Sequence, residues 1–296
     1  IVPMELIDGK SLANTIKDEL AETVQQIKEA GNKVPHLAAV LVGDDAASQA
    51  YVRNKVRSCE RVGFESTLIR RPADISQEDL LEIVDQLNND EQIDGFIVQL
   101  PLPDHIDEHV VTLAIDPKKD VDGFHPVNFG RMAQGLPSYI PATPFGILQM
   151  LDRMNISTQG KEVVVIGRSN IVGTPISILL SRKTKLGNAT VTLCHSRTQN
   201  LKEHTLRADI IVAAIGRPDF VTADMVKEGV VIIDVGINRV DDASRKRGYR
   251  LVGDVDFDGV APKASYITPV PGGVGQLTVV ALLLNTLKAA QREVFG

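Results

Sequence analysis

The chain has 296 residues, of which 43% are hydrophobic and 24% are charged, a balance typical of a globular protein. At about 150 residues per domain, this length predicts two domains, each with enough apolar side chains for its own core. The formal net charge is −6. That charge disfavours nucleic-acid binding, because proteins that bind phosphates usually carry a basic excess. No apolar run reaches the roughly 18 residues of a membrane span, so no membrane-spanning helix is predicted.

The two cysteines, Cys59 and Cys194, lie in separate segments without CxxC spacing or a histidine at ligand spacing. We interpret them as buried thiols of a reducing compartment, and we predict no metal site. The start of the chain, Ile1-Val2-Pro3-Met4, lacks the apolar core of a signal peptide and the Arg/Ser-rich pattern of a transit peptide. The expected location is therefore cytoplasmic, although removal of a transit peptide would leave the same start.

The first half of the chain alternates helical and strand patterns. Apolar residues between 12 and 27 recur at helical spacing. Strands are then predicted over 37–42, 67–69 and 95–100, and helices over 48–61 and 76–87. Strands that alternate with helices of this length imply a parallel sheet with right-handed crossovers. Functional loops are expected at the carboxyl ends of its strands.

A proline- and glycine-rich stretch over 126–144 is interpreted as the crossing between the two domains. After it the alternation restarts, which predicts a second parallel α/β unit. Its short β-branched runs, which predict strands, lie at 161–166, 189–193, 210–213 and 230–235.

The predicted fold class is therefore α/β, with two parallel-sheet domains, the second of them Rossmann-like, and an active-site cleft between them. We place the first domain at 1–140 and the second at 141–276. The last helix, within 277–296, is expected to pack back on the first domain. The polar segment 241–250 is interpreted as a solvated excursion.

Residues 163–175 read VVVIGRSNIVGTP, a strand followed by a glycine turn and a helix start. Glycines let the backbone turn sharply and approach a pyrophosphate, whose charge is met by amides at the helix N-terminus. The pattern is GxSxxxG rather than GxGxxG. On its own it fits a turn without a ligand about equally well.

The end of the second predicted strand of this domain favours NADP over NAD. NAD-specific folds usually place Asp or Glu there to accept the ribose 2′-hydroxyl, whereas this strand ends in LCHSRT, without an acid. The hydroxyl of Ser196 and the guanidinium of Arg197 suit a 2′-phosphate, and Arg168 in the glycine loop adds a second bidentate donor. The alternative is that Arg197 is only a surface charge.

Candidate substrate contacts lie mainly in the first half. Tyr51 and Lys55 stand four residues apart and share one helix face, although such a pair is often just an exposed amphipathic face. Gln99 lies at a strand's carboxyl end, before a turn stiffened by two prolines. Residues 119–125 set two acids in a glycine turn, and residues 269–275 form a stiff loop that opens the last helix.

Eight strings occur in the order YVRNK, VQLPLP, KDVDGFH, PATP, GRSNIVGTP, DVGIN, GDVDF and ITPVPGGVG. Together they resemble the bifunctional methylenetetrahydrofolate dehydrogenase/methenyltetrahydrofolate cyclohydrolase family, from about Leu6 to the C-terminal helix. The resemblance implies oxidation of 5,10-methylenetetrahydrofolate with NADP and hydrolysis of the methenyl product to 10-formyltetrahydrofolate. It also implies a role in one-carbon metabolism and purine biosynthesis, and a homodimer.

The resemblance also implies residue roles. Lys55 is the central catalytic group, and Gln99 forms a hydrogen bond to it. Tyr51 stacks along the folate and Asp122 anchors the pterin, so these four residues are the catalytic candidates. Further substrate contacts are implied for Val98, Leu100, Pro271, Gly272, Gly273, Val274 and Gly275. Cofactor contacts are implied for Gly167, Arg168, Ser169, Gly173, Ser196, Arg197 and Ile237.

Two alternatives remain open from the residues alone. The first is an NADP-dependent dehydrogenase of another small acid, of the shikimate type, which needs a Lys/Asp pair in place of the cluster of Tyr51, Lys55 and Gln99. The second is a non-catalytic protein that senses folate or nucleotide on the same fold. Turnover with methylenetetrahydrofolate discriminates the first alternative. Retention of both Lys55 and the glycine loop argues against the second, which a hydride-transfer assay tests.

Overall fold

The computed structural model describes residues 3–296. The strands are β1 Glu5–Leu6, β2 His36–Val42, β3 Glu65–Arg71, β4 Gly95–Val98, β5 Glu162–Ile166, β6 Thr190–Cys194, β7 Ile210–Ala213, β8 Val230–Asp234, β9 Asn238–Asp241, β10 Tyr249–Val252 and β11 Ala264–Ile267. The helices are α1 Gly9–Glu29, α2 Ala46–Val62, α3 Gln77–Asn89, α4 Glu108–Ala114, α5 Pro126–Ala133, α6 Ala142–Arg153, α7 Gly173–Ser181, α8 Leu201–Arg207, α9 Phe257–Val260 and α10 Val274–Ala290. None of these helices is both long and apolar enough to cross a membrane.

The chain divides into two compact units, which we name by their sheets. The three-stranded unit comprises 14–142 and 279–296, and the six-stranded unit comprises the N-terminal residues up to Ala13 and 143–278. The sequence-based division placed the N-terminal residues in the other domain. They belong to the six-stranded unit because β1 pairs in parallel with β11, and a two-residue strand is too short to leave a periodic pattern.

The three-stranded unit is built on a parallel sheet in the order β3-β2-β4. Val40 of the central strand lies opposite Ile69 on one side and Val98 on the other. Apolar side chains of β2 and β4 pack with those of α3 and α4 in one buried cluster. The predicted alternation of helix and strand is thus confirmed, and Gln99 directly follows β4 at the carboxyl edge of the sheet.

The stretch 126–144, interpreted from sequence as the crossing between the domains, contains a helix in its first half. Helix α5 begins at Pro126, because proline at the first helical position loses no hydrogen bond. The buried His125 caps it, and the imidazole Nδ1 accepts a hydrogen bond from the amide of Val127 at 3.1 Å. The change of unit after Ala142 lies near the end of this stretch, and its first half is helical.

The six-stranded unit holds a parallel sheet in the order β1-β11-β8-β7-β5-β6. Strand β5 lies between β6 and β7. The connection from β5 to β6 therefore runs to one side of β5, and the connection from β6 to β7 crosses to its other side. Ligands of open α/β sheets bind at such a switch point, outside the carboxyl ends of the strands. The glycine loop after β5 lies at that point.

The polar segment 241–250, interpreted from sequence as a solvated excursion, is part of a hairpin of two short strands. Strands β9 and β10 pair antiparallel, with Asp241 opposite Tyr249 and Asn238 opposite Val252. The guanidinium of Arg239 lies 3.8 Å from the centroid of the Tyr249 ring, a cation–π contact that stabilises the pair. The charged composition masked the strands, because both faces of a solvated ribbon tolerate polar side chains.

Asn285 links the last helix to the rest of the three-stranded unit. It is fully buried in α10, and its amide nitrogen donates to the carbonyl oxygens of Val121 at 2.9 Å and Ile140 at 2.8 Å. A buried carbonyl that loses its donor costs about 1–3 kcal/mol. We therefore expect Asn285→Ala to lower the free energy of unfolding by roughly 2 kcal/mol or more, as measured by urea denaturation.

Gln291→Ala, at an exposed position just beyond the same helix, is the control and should change the free energy of unfolding by less than about 0.5 kcal/mol. Equal stability of the two variants would contradict the structural role of Asn285.

Candidate active site

Lys55 and Gln99 form the centre of the candidate site in the three-stranded unit. The Lys55 ammonium donates to Oε1 of Gln99 at 2.9 Å, and Nε2 of Gln99 donates to the carbonyl of Leu100 at 2.9 Å. The second bond fixes which end of the amide faces the lysine. Lys55 and Gln99 are 44 positions apart. The carbonyl of Leu100 orients the Gln99 amide so that its oxygen faces the lysine.

Burial and a nearby carboxylate act in opposite directions on Lys55. Burial lowers the pKa of Lys55, and the negative charge of Asp122 opposes this shift. Burial likewise raises the pKa of Asp122, and the charge of Lys55 opposes that shift. Desolvation disfavours the charged form of both groups. The neutral amine is therefore reached at a lower pH than for a lysine in water.

The neighbours of Lys55 differ in exposure. Tyr51, one turn earlier on α2, has 59% of its surface exposed, so its ring is accessible as a stacking surface. Arg53 is also exposed but does not share the helix face of Tyr51 and Lys55. The side chain of Val98 is buried in the core cluster and Leu100 packs against that cluster. A ligand contact at Val98 would have to come from its main chain.

Asp120, two residues before Asp122, is a candidate that the sequence-based reasoning did not single out. Its buried carboxylate accepts hydrogen bonds from the amide of His125 at 2.8 Å, from Nδ2 of Asn128 at 3.0 Å and from the amide of Phe124 at 3.3 Å. Burial nonetheless raises the pKa of Asp120 to about 7. Asp120 therefore shapes the turn that carries Asp122. The string DVDG, with two acids before a glycine, is the sequence feature that could have identified Asp120.

The glycine loop of the six-stranded unit is wound tightly against backbone. A Cβ at Gly167, whose φ is +112°, would lie 2.1 Å from the carbonyl oxygen of Ala214, just after β7. A Cβ at Gly173 would lie 1.8 Å from the carbonyl oxygen of Gly167. Ser169 closes the turn by accepting a hydrogen bond from the amide of Val172 at 3.1 Å. Such a bare turn before a helix N-terminus fits the pyrophosphate of a dinucleotide.

The end of β6 lies beside this loop and carries no acid. The amide of Gly167 donates to the carbonyl of Cys194 at 2.9 Å. Beyond Cys194 the chain turns on itself, because the amide of His195 donates to the Thr198 hydroxyl at 2.8 Å. The structure thus brings together three exposed polar or basic side chains at the carboxyl ends of β5 and β6: Arg168, Ser196 and Arg197.

Two buried acids that the sequence-based reasoning did not assign hold the loops on the other side of the switch point. Asp254 accepts from the amides of Ile215 at 2.7 Å and Gly216 at 2.9 Å. Asp234 accepts from the amides of Gly236, Asp254 and Val255 at 3.0–3.1 Å, and burial raises its pKa to about 7. The loop that carries Ile237 is therefore anchored at its start.

Ile237 is 59% exposed and lies beside the loop that opens α10. Both line one cavity of about 160 Å³ within the six-stranded unit. The structure therefore brings Ile237 together with five predicted substrate contacts, namely Pro271, Gly272, Gly273, Val274 and Gly275. The other predicted substrate contacts, Tyr51 to Asp122, belong to the three-stranded unit. That the two groups share one cleft stays a prediction.

A parallel sheet with a glycine loop at its switch point, together with a half-buried lysine held by an amide, defines a dinucleotide-dependent α/β enzyme. Comparison with known families narrows this class. The model of the tetrahydrofolate dehydrogenase/cyclohydrolase catalytic domain matches residues 7–122, and the model of the NAD(P)-binding domain of the same family matches residues 141–294. The chain belongs to the tetrahydrofolate dehydrogenase/cyclohydrolase family.

Individual relatives are similar to this chain along nearly its whole length. The bifunctional protein FolD of Cytophaga hutchinsonii is 62% identical over 97% of this chain and 99% of its own length. A solved structure of FolD, a methylenetetrahydrofolate dehydrogenase/cyclohydrolase from Campylobacter jejuni, is 45% identical with a TM-score of 0.91, and covers 98% of this chain and 99% of its own. The Trypanosoma brucei enzyme, solved with NADP and an inhibitor, is 38% identical with a TM-score of 0.91 over both full chains.

The crowding at Gly173 predicts a loss of both stability and dinucleotide affinity in Gly173→Ala. The added methyl group would meet the Gly167 carbonyl, so the loop must open, at a cost of about 1–3 kcal/mol. Thermal unfolding and fluorescence titration with NADPH measure the two effects.

Gly130→Ala is the matched control, because a Cβ there meets nothing within 4 Å and the residue lies within helix α5. We expect it to leave stability unchanged or to raise it by up to about 1 kcal/mol. If Gly173→Ala kept the NADPH affinity and the melting temperature of the wild type, the loop would tolerate a side chain and the prediction would be wrong.

Proposed function

We propose that the protein oxidises 5,10-methylenetetrahydrofolate to 5,10-methenyltetrahydrofolate with NADP and then hydrolyses this product to 10-formyltetrahydrofolate. The observation that carries the proposal is the half-buried Lys55, held at 2.9 Å from Gln99 and facing the charge of Asp122, in a chain that belongs to this family along its length. Family membership decides against the shikimate-type dehydrogenase and against a protein that only senses folate.

In the first half-reaction the residues position the substrate. NADP, when bound, supplies the acceptor for the hydride that leaves the one-carbon bridge. The substrate's own nitrogen lone pair expels that hydride, so no side chain has to remove a proton. The exposed ring of Tyr51 stacks along the folate, and the carboxylate of Asp122 accepts N–H bonds from the pterin. Correct orientation alone accounts for a large part of such a rate.

The second half-reaction needs a proton carrier. Water forms a C–O bond to the methenyl carbon and loses a proton, and a proton must reach the ring nitrogen when the C–N bond breaks. Lys55 is suited to both transfers, because burial lowers its pKa towards the range of an efficient general base. Gln99 keeps the amine in place through its side-chain oxygen. Lys55 therefore serves hydrolysis chiefly.

The six-stranded unit supplies the cofactor contacts. The glycine loop, with Gly167, Ser169 and Gly173, meets the pyrophosphate at the start of α7. The exposed side chains at the ends of β5 and β6, from Arg168, Ser196 and Arg197, meet the 2′-phosphate. Ile237 contacts the nicotinamide end. Support comes from the absence of an acid at the end of β6 and from the Trypanosoma brucei relative, which was solved with NADP.

We further propose a cytoplasmic homodimer that supplies one-carbon units for purine biosynthesis. Support for the compartment comes from Cys59 and Cys194, which are free and buried, as in proteins kept under reducing conditions. Burial raises the pKa of the Cys59 thiol to about 12, which keeps it unreactive. The dimer rests on the family resemblance, and sedimentation velocity of the purified protein tests it.

Replacement of Lys55 by methionine separates the two half-reactions. Methionine retains much of the apolar stem but removes the proton carrier. We expect the hydrolysis of methenyltetrahydrofolate to fall by about 10²–10⁴-fold, while NADP reduction with methylenetetrahydrofolate persists at a reduced rate. Absorbance assays of methenyl decay and NADPH formation measure the two activities. A folded Lys55→Met protein with undiminished hydrolysis would rule out this role.

Arg53→Met is the matched control, since this exposed neighbour lies on another face of α2, and both activities should persist.

The pH profile gives a second test. Hydrolysis by the neutral amine rises with pH through the pKa of Lys55. Asp122 holds that pKa up, so Asp122→Asn should move the rising limb to lower pH. An unmoved limb would show that another group titrates.

Cofactor choice provides a separate prediction for Arg168→Ala and Ser196→Ala. Each should raise the Michaelis constant for NADP more than that for NAD, because only NADP carries the 2′-phosphate. A hydrogen bond to a charged group is worth roughly 1.5–3 kcal/mol, or about 10- to 100-fold. Initial-rate kinetics with both cofactors measure this. Equal losses would instead assign these residues to the shared pyrophosphate.

A further inference from the structure

The half-buried Asn238 has no part in the proposed chemistry, although it directly follows Ile237. It begins strand β9, and its side-chain nitrogen Nδ2 donates to Oδ1 of Asp254 at 2.9 Å. Asp254 is fully buried, and its other oxygen, Oδ2, accepts from the amides of Ile215 at 2.7 Å and Gly216 at 2.9 Å. One carboxylate thus joins the loop after β7 to the loop after β8.

The loop after β7 also packs directly on the glycine loop. A Cβ at Gly167 would lie 2.1 Å from the carbonyl oxygen of Ala214, which begins the loop after β7. A series of short contacts therefore runs from the glycine loop through Ala214 and Asp254 to Asn238. The glycine loop is assigned to the pyrophosphate and Ile237 to the nicotinamide. These contacts therefore set the spacing between the two ends of the cofactor site.

Ile237 is held on both sides along the chain. On one side, the amide of Gly236 donates to Oδ1 of Asp234 at 3.0 Å. On the other side, the Asn238 side chain is bound to Asp254. The packing is tight, because a Cβ at Gly236 would lie 2.1 Å from Oδ1 of Asp254. The side chain of Ile237 is nonetheless exposed, so a fixed backbone presents an apolar surface to a ligand, as a preorganised site requires.

We propose that Asn238 and Asp254 are positioning residues, which hold the Ile237 loop so that the nicotinamide ring meets the one-carbon bridge at the distance needed for hydride transfer. The inference rests on the proposed function, which assigns the nicotinamide end to Ile237. Reacting atoms must come within about 3–3.5 Å, and a misplacement of about 1 Å can slow a reaction about 100-fold. Hydrolysis of the methenyl product uses Lys55 and water and needs no nicotinamide. The pair should therefore affect one half-reaction only.

Asn238→Ala tests the proposal, because it removes one hydrogen bond at a half-buried position and leaves Asp254 in place. The kcat of NADP reduction with methylenetetrahydrofolate should fall by about 10- to 100-fold. The Michaelis constant for NADP should change little, since the phosphate contacts remain. Hydrolysis of methenyltetrahydrofolate, assayed without NADP, should keep the wild-type rate. With substrate deuterated at the one-carbon bridge, the isotope effect on kcat should be at least as large as in the wild type.

The reciprocal exchange Asn238→Asp/Asp254→Asn is the rescue variant. In Asn238→Asp alone, two carboxylates face each other and repel, so hydride transfer should be slow. In the exchange, the side-chain oxygen at position 254 still accepts from the two backbone amides, and the side-chain nitrogen donates to the carboxylate at position 238. We expect the exchange to recover most of the kcat that Asn238→Asp loses. A folded exchange variant without recovery would argue that the hydrogen bond is not what matters.

Mobility of the loop in the cofactor-free protein provides a readout apart from turnover. Amide hydrogen exchange of residues 235–239, measured by mass spectrometry, reports local opening of this segment. It should be faster in Asn238→Ala than in the wild type, and it should return to the wild-type rate in the reciprocal exchange.

Thr158→Val is the matched control. It removes a buried side-chain hydrogen bond, 2.8 Å long, from Thr158 to the carbonyl of Gly187, ahead of β5 on the amino side of the same sheet. It should lower the melting temperature but leave the ratio of the two activities and the exchange of residues 235–239 unchanged. The proposal is overturned if Asn238→Ala keeps the wild-type kcat, loses both activities equally, loses the isotope effect or leaves the exchange unchanged. Absence of NADP reduction by the wild-type protein would instead contradict the proposed function itself.

Discussion

The partial burial of Lys55 is the constraint on which the candidate site depends. An ammonium withdrawn from water is costly unless other groups replace its hydration. Gln99 and Asp122 do so in part, one by accepting a hydrogen bond and the other by its charge. These contacts hold the amine in one place, while burial lowers its pKa. A fully solvated lysine would keep its proton at neutral pH, and a fully apolar pocket would leave the amine without orientation.

The turn that carries Asp122 is held by one contact from within the turn and by another from a distant part of the chain. Asp120 binds the amides that follow the turn, and Asn285 of the last helix binds the carbonyl of Val121. Residue 285 is 164 positions away from residue 121. The C-terminal helix therefore contributes to the three-stranded unit through a buried polar contact as well as through apolar packing, and polar contacts of this kind fix position more strictly.

The six-stranded unit uses the same physical device with different residues. Asp234 and Asp254 are buried acids whose oxygens accept from backbone amides at the ends of several strands. Loops at the carboxyl edge are thus shaped by the chain's own carboxylates, while Arg168 and Arg197 remain exposed. The charged groups that fix the backbone and those available to a ligand are separate sets. This separation suits a ligand site at the carboxyl edge of the sheet, because a backbone that is ordered before binding loses less entropy when the ligand binds.

The sequence by itself determined the α/β class, the positions of most strands and the family, because helical and strand periodicities are local and the motif strings are long. The motif strings also singled out Lys55, Gln99 and the glycine loop as site candidates, through the family resemblance rather than through their spacing. Only the tertiary structure decided the pairing of β1 with β11, the hairpin of β9 and β10, and the buried role of Asn285. These depend on partners far away in sequence, and a two-residue strand or a lone asparagine in a helix leaves no periodic signal. A buried polar side chain acquires its role from the donors and acceptors that folding brings to it.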